Sequence, residues 1–337
     1  MTTIVAQRLS LAELLRLLGP GPSTPPRDGS FRVYPIPGPS RHYVGRNDMG
    51  QPCVLLGSES GPMHAPIRLA AVEVRFGATC EIKPITGEPR EETLTVIVCT
   101  SPDAQAKAYF LHVCETIIRI LGPSPSLPNV VEVVQRLVEL FRQLARSPSR
   151  SVIGLLGELY VVAHSRNIVT AVSAWRSSGI DRFDFSTGDV RLDVKASGDR
   201  VRAHHLSTEQ CQPPPGTAGL LVSIFIESSG GGMSLAELIA EIERRLASRD
   251  DLILKVQETV AETLGDTLPT SMAVRFDDRL ARSSLQIYDL RAIPAIRDGI
   301  PAEVSHVHFR SDLSRVAPLN TDQIDALTST GRDLLPG

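Results

Sequence analysis

Asp193 and Lys195 stand two positions apart in the run Arg182-Phe-Asp-Phe-Ser-Thr-Gly-Asp-Val-Arg-Leu-Asp-Val-Lys-Ala-Ser197. Alternate residues of a strand share a face, so a carboxylate and an ammonium at this spacing sit side by side. The run predicts a strand at 189–197 in which Val190, Leu192, Val194 and Ala196 point one way. Arg191, Asp193 and Lys195 point the other. Thr187-Gly188-Asp189 reads as a hairpin turn. A first strand near 181–185 then turns Phe183 and Phe185 to the core and Asp184 to the opposite face. Closing the hairpin brings Asp184 beside Asp193. Two carboxylates held together repel, a divalent cation relieves the repulsion, and hard oxygen ligands suit Mg²⁺ or Mn²⁺. The Val194 carbonyl offers one more oxygen. Beside such an ion Lys195 orients a water nucleophile or balances charge on a phosphate in the transition state. Asp-x-Lys also recurs by chance, and its plain alternative is a solvated strand face with a cross-strand ion pair.

Upstream, Ile153-Gly-Leu-Leu-Gly-Glu-Leu-Tyr-Val-Val-Ala163 predicts an apolar helix with a single acid, Glu158. The residues three and four away, Gly154, Leu155, Val161 and Val162, carry no charge. Burying a lone carboxylate is costly unless it is paired or binds a metal. Glu158 is therefore either a site residue or the partner of an arginine at the helix surface. Gly154 and Gly157 let this helix pack closely on a sheet, at a cost in helix propensity. Downstream, Arg200, Arg202 and His204 alternate. If extended, they make a small cationic row that could grip phosphates without reading sequence, or an ordinary solvated edge. Ser207 or Thr208 is placed to cap a helix containing Glu209 and Gln210.

These residues need elements to hold them. Ser10-Leu-Ala-Glu13 and Ser234-Leu-Ala-Glu237 are capping boxes that predict helices to about Leu18 and Ala247. Gly19–Asp28 reads as a linker. Short β-like runs from Phe31 to Thr100 predict a small β sandwich or barrel, followed by helices at about 103–121 and 129–146. A helix at 151–165 follows. The nearly all-apolar run Gly219–Glu227 predicts a strand buried on both faces. A helix at 250–264, β-like runs at 272–276, 284–290 and 304–309, and a helical stretch from about Thr321 complete the chain.

Composition narrows the chemistry. Hydrophobic residues make up 42% of the 337, enough for sizeable cores. Aromatics are only 4%, which argues against a base-stacking single-strand platform. The formal net charge of −3 gives no global field for nucleic acid, so contact must come from a local patch or a partner. Cys53, Cys80, Cys99, Cys114 and Cys211 are scattered, without a Cys-x-x-Cys pair. This argues against structural zinc and fits reduced thiols in a cytoplasm. Met1–Ser10 lacks the basic start and apolar core of a signal peptide. No apolar run reaches about 18 residues, so no spanning helix is expected.

Glu158 on a helix, then Asp184, then Asp193-Val194-Lys195 resembles the PD-(D/E)xK nuclease superfamily in order and element type. "GLLGELYVV", Trp175, Phe183-Asp184-Phe185, "LDVKAS" and "LSTEQC" are similar to the bacterial PD-(D/E)xK motif proteins that accompany restriction and phage-defence operons. The likeness is clearest from about 150 to 230, and Phe183 stands where the eponymous proline would be. The resemblance implies an α/β (α+β) fold: a restriction-endonuclease-like core of helix, mixed central sheet and helix. An N-terminal β-rich domain and a C-terminal α/β extension flank it. The expected organisation is a helix and linker over 1–28, a β-rich accessory domain over 29–146, a nuclease-like core over 150–247 and an extension over 248–337. The resemblance implies a Mg²⁺- or Mn²⁺-dependent deoxyribonuclease, the nuclease subunit of a defence system. Asp184, Asp193, Glu158 and the Val194 carbonyl would be at the metal, with Lys195 catalytic. Arg200, Arg202, His204 and Gln210 would face nucleic acid. DNA and a motor or sequence-reading subunit are the partners implied, with a homodimer also open to it and no membrane. The alternative is a non-catalytic DNA-binding or scaffold subunit.

Overall fold

The computed structural model describes residues 10–19, 29–59, 61, 64–177 and 181–337. Apart from Ser10 and Gly19, the Met1–Ser10 and Gly19–Asp28 readings fall outside the described residues. The chain divides into two compact units, Met1–Ala145 and Arg146–Gly337.

The first unit opens with helix α1 (Leu11–Leu17), whose capping box forms as the sequence predicts. Ser10 Oγ accepts from the Glu13 amide, and the Glu13 carboxylate accepts from the Ser10 amide at 2.6 Å. Strands β1 (Ser30–Pro35), β2 (His42–Arg46), β3 (Pro52–Leu56), β4 (Ile67–Arg68), β5 (Val72–Pro84) and β6 (Arg90–Cys99) follow. Their order β1-β2-β3-β6-β5 is closed by a parallel β1–β5 pairing, so the barrel alternative holds. A bulge between Arg75 and Ala78, with Gly77 at φ 57°, bends long β5. Its first part pairs with β4 and its second with β1. Phe31, Val33, Tyr43, Cys53, Leu55, Ile82, Leu94 and Val96 fill the interior. Helices α2 (Ala104–Leu121) and α3 (Leu127–Gln143), capped by Asp103 and Ser126, lie close to the expected spans.

The second unit holds α4 (Val152–His164), α5 (Ile168–Ala174), β7 (Phe185–Ser186), β8 (Val190–Ser197), β9 (Ala203–Ser207) and β10 (Ala218–Phe225). Then come β11 (Ser228–Ser234), α6 (Leu235–Leu246), α7 (Asp250–Leu264), α8 (Leu268–Ser271), β12 (Arg275–Phe276) and α9 (Asp278–Ser284). The chain ends with β13 (Gln286–Asp289), β14 (His308–Asp312), α10 (Thr321–Asp325) and α11 (Ser329–Leu334). The central sheet is mixed, in the order β13-β10-β8-β7. β10 runs parallel to β8, and the outer two strands run antiparallel to their neighbours. α4 packs on β8 at Gly157, where an added Cβ would come within 2.8 Å of the Ala196 Cβ. This α+β core is restriction-endonuclease-like.

Two local expectations change. The strand near 181–185 shrinks to Phe185–Ser186, because the Asp184 side chain, not its backbone, takes the next amide of β8. The helix near Ser207 is absent: 203–207 is strand β9, paired with β14, and a turn follows. Ser207 and Gln210 do exchange the reciprocal bonds of a capping box, at 3.1 and 3.2 Å. Pro213, Pro214 and Pro215 then block helix growth, since proline lacks the amide a helix needs.

Candidate active site

β8 positions the Asp-x-Lys pair. Asp193 is 1% exposed, although the alternation puts it on the polar face of the strand. Its carboxylate is held from two sides. Gln210 Nε2 donates to Oδ1 at 3.0 Å, and Lys195 Nζ lies 2.8 Å from Oδ2. Oδ2 is buried, and the Lys195 ammonium is its charge partner. Burial, followed by the Asp184 charge, outweighs Lys195 and pushes the Asp193 pKa up to about 7. Burial works against the Lys195 ammonium, but Asp193 and Asp184 carry its pKa above the usual lysine value.

Asp184 lies just ahead of β7 and is 2% exposed. Its Oδ2 accepts from the Val194 amide at 2.8 Å and its Oδ1 from Arg150 at 2.6 Å. The Asp184 charge also acts on Asp193 and helps raise its pKa. The amide and carbonyl of one strand residue point to the same edge. The Val194 carbonyl therefore opens toward Asp184, on the edge where β7 has ended.

Glu158 reaches the same place from α4. Its Oε2 accepts from Trp175 Nε1 at 2.7 Å and Arg176 Nε at 3.0 Å, and its Oε1 from Arg150 at 3.3 Å. Burial, then Asp184, raises its pKa to about 7 against the pull of both arginines. The expected arginine partner is real, but it is two arginines, Arg176 enclosed and Arg150 part-exposed. Arg150 joins Glu158 to Asp184, so three carboxylates meet three cations, Arg150, Arg176 and Lys195.

The donor set is hard oxygen throughout. Among the described residues no three His, Cys, Asp or Glu side chains converge to hold a metal ion. Mg²⁺, however, keeps several waters and is commonly held by one or two carboxylates plus substrate phosphate. Asp184, Asp193 and the Val194 carbonyl fit that smaller set. Glu158, turned to Trp175 and Arg176, stands behind it.

The expected nucleic-acid row takes another form. Arg200, at φ 56°, pairs with Glu227. Arg202 donates to the Ser223 carbonyl and hydroxyl and to the Ser284 carbonyl, and lies 4.5 Å over Phe225. His204 is 5% exposed, 2.7 Å from Ser223 Oγ, and burial lowers its pKa to about 4. Arg202 and His204 are thus spent on internal partners, while Arg200 pairs at the surface. Gln210, placed by the sequence among nucleic-acid contacts, sits on Asp193.

Sequence reasoning missed Arg150 and Arg176. The available signal was Glu158 itself, which has no charged neighbour on its own helix and so needs a cation from outside it. Arg150 precedes the Ser151 cap of α4 by one residue, and Arg176 follows Trp175. Arg176, Arg182 and Arg191 also line a cavity of about 430 Å³ beside Trp175 and Phe183.

Fold and site together define a protein with a nuclease-like core. Residues 20–314 match the family described as "Putative PD-(D/E)XK family member, (DUF4420)", and the chain belongs to that family. No curated protein and no solved structure matches the chain. Among the described residues no helix is long and apolar enough to cross a membrane, and all five cysteines are free and buried.

Proposed function

We propose that this chain is a metal-dependent endonuclease that hydrolyses DNA phosphodiester bonds. The observation that carries this reading is the buried meeting of Asp184, Asp193 and Lys195 at the open edge of β8. A solvated strand face would leave such a pair exposed. Asp184, Asp193 and the Val194 carbonyl would hold Mg²⁺ or Mn²⁺. The bound ion would polarise a phosphate oxygen and lower the pKa of water. Lys195, 22% exposed at its side chain, holds the water or the phosphate charge next to Asp193. Gln210 holds the Asp193 rotamer, and Arg150 bridges Glu158 to Asp184 while no metal is bound. In the reaction a water oxygen bonds to phosphorus, the ester P–O bond breaks, and a proton passes to the leaving oxygen.

The acidic balance, 38 acids to 35 bases, and the internal use of Arg202 and His204 favour delivery of DNA by a partner. A motor or sequence-reading subunit of a bacterial restriction or phage-defence system fits that need. Residues 150–247 would be the nuclease core, with 29–146 and 248–337 accessory to it, in a cytoplasmic protein. A second reading, a non-catalytic DNA-binding or scaffold subunit, gains from one observation: the three carboxylates are already matched by three cations.

Plasmid cleavage in Mg²⁺, with and without the proteins encoded beside this chain, tests the proposal. The expected result is nicking or cutting that EDTA abolishes and Asp193→Ala removes. Cleavage untouched by Asp193→Ala would mean that the activity lies elsewhere, and none under any of these conditions would favour the scaffold.

A further inference from the structure

Arg150 occupies an unusual position. Its Nη1 lies 2.6 Å from Asp184 Oδ1 and 3.3 Å from Glu158 Oε1, a bridge between two buried carboxylates. The backbone beneath it is anchored: the Ser149 amide donates to the Thr263 carbonyl, and the Asp266 amide donates to the Arg146 carbonyl. Its side chain is 30% exposed, whereas Arg176, the other arginine on Glu158, is fully enclosed. One arginine is enclosed and the other is part-exposed.

We propose that Arg150 is a resident counter-cation that competes with the divalent ion for Asp184, so that metal loading requires its guanidinium to move out toward solvent. This rests on reading Asp184 and Asp193 as the metal-binding pair. A charge placed on one oxygen of a small carboxylate opposes a second cation on the other at short range. Arg150 also answers the cost of leaving Asp184 and Glu158 buried without a partner. The site therefore stays folded and charge-balanced without metal, and its metal affinity is set by how easily one side chain leaves. Arg150 is a positioning residue.

Isothermal titration of the full-length chain with Mn²⁺, without DNA, tests this on wild type, Arg150→Ala, Arg150→Gln and Asp193→Asn. Circular dichroism checks that each is folded. Arg150→Gln keeps a hydrogen-bond donor for both carboxylates while removing the charge, and so guards against loss of fold in Arg150→Ala. Removing one unit charge at this range should tighten Mn²⁺ binding by about ten-fold or more in both variants. Asp193→Asn should lose binding. A folded Arg150→Gln chain that binds Mn²⁺ as wild type does, or more weakly, overturns the proposal while leaving the metal site intact. Mn²⁺ binding absent from wild type and from every variant overturns the metal reading and this proposal together.

Discussion

The two units bury different things. The barrel of the first encloses Phe31, Val33, Leu55, Ile82, Leu94 and Val96, and none of its described Asp or Glu side chains is buried. The second buries Glu158, Asp184 and Asp193 within one constellation, together with Arg176. An apolar core needs only shape and volume to be stable. A core with charges in it bears a desolvation penalty that pairing only partly offsets. The barrel is thus built for stability. The second unit carries a group of charged side chains whose burial fits the proposed chemistry, because low local dielectric strengthens each charge.

Breaking the contrast at its charged side should have the largest effect. Asp193→Ala is expected to lower cleavage by about 10³-fold or more, the scale of losing a preorganised electrostatic group. Its melting temperature should stay level or rise as carboxylate repulsion is removed. A plasmid assay beside a thermal melt checks both, and a large loss of stability would mean that Asp193 is chiefly structural. Lys195→Ala should cost about 10²-fold in rate while Mn²⁺ still shifts the melt.

On the apolar side, Leu94→Ala empties part of the barrel and should cost about 2–5 kcal/mol. Denaturant unfolding measures it, and calorimetry should find Mn²⁺ binding to the still-folded chain unchanged. A change in metal affinity would show that the two kinds of core are not independent.

Gly157→Ala tests the seat of the charged helix. Its Cβ would press on Ala196, with Val194 and Ile224 at 3.4 Å. The overpacking should cost about 1–3 kcal/mol, exceeding the roughly 1 kcal/mol that alanine returns in helix propensity. A more stable variant would show that α4 does not need its close approach to β8. Trp175→Phe removes one donor from Glu158 Oε2 and should cost about 1–3 kcal/mol in the same measurement.

The smallest effect is in pH. Glu158 and Asp193 titrate near 7 when folded and near 4 when unfolded, so the folded chain retains protons that the unfolded chain has released. Their contribution is fully present below the unfolded value and is lost as pH rises toward 7. His204 runs the other way: folded near 4 and unfolded near 6.5, its contribution is present above 6.5 and lost as pH falls toward 4. The difference between wild type and Asp193→Asn cancels His204. Asp193→Asn should therefore gain stability over wild type at pH 8, and the gain should shrink at pH 5. An equal difference at both pH values would contradict the raised Asp193 pKa.

Much of this architecture was legible in the residues. Ser10 with Glu13 and Ser234 with Glu237 mark helix starts because capping is local chemistry, complete within four residues. Alternation through Val190–Ala196 marks β8, and the apolar run after Gly219 marks its parallel neighbour β10, since each period reports what a strand faces. The spacing of Asp193 and Lys195 and the isolation of Glu158 likewise pointed to one site. Local order alone misjudged the segment after Ser207. A capping exchange was present, but pairing with β14, over 90 residues further on, and three prolines decided its form.

What the sequence by itself determined is which residues could do chemistry and which elements carry them, because both follow from side-chain type and short-range periodicity. Only the tertiary structure decided their company. It set Arg150 between Glu158 and Asp184, Gln210 on Asp193, and Arg202 and His204 on Ser223. Those partners lie 8 to 34 residues apart. The closure of the sheet and the packing of α4 against it bring them within hydrogen-bond reach, and at that range a buried charge takes whichever partner the fold brings to it.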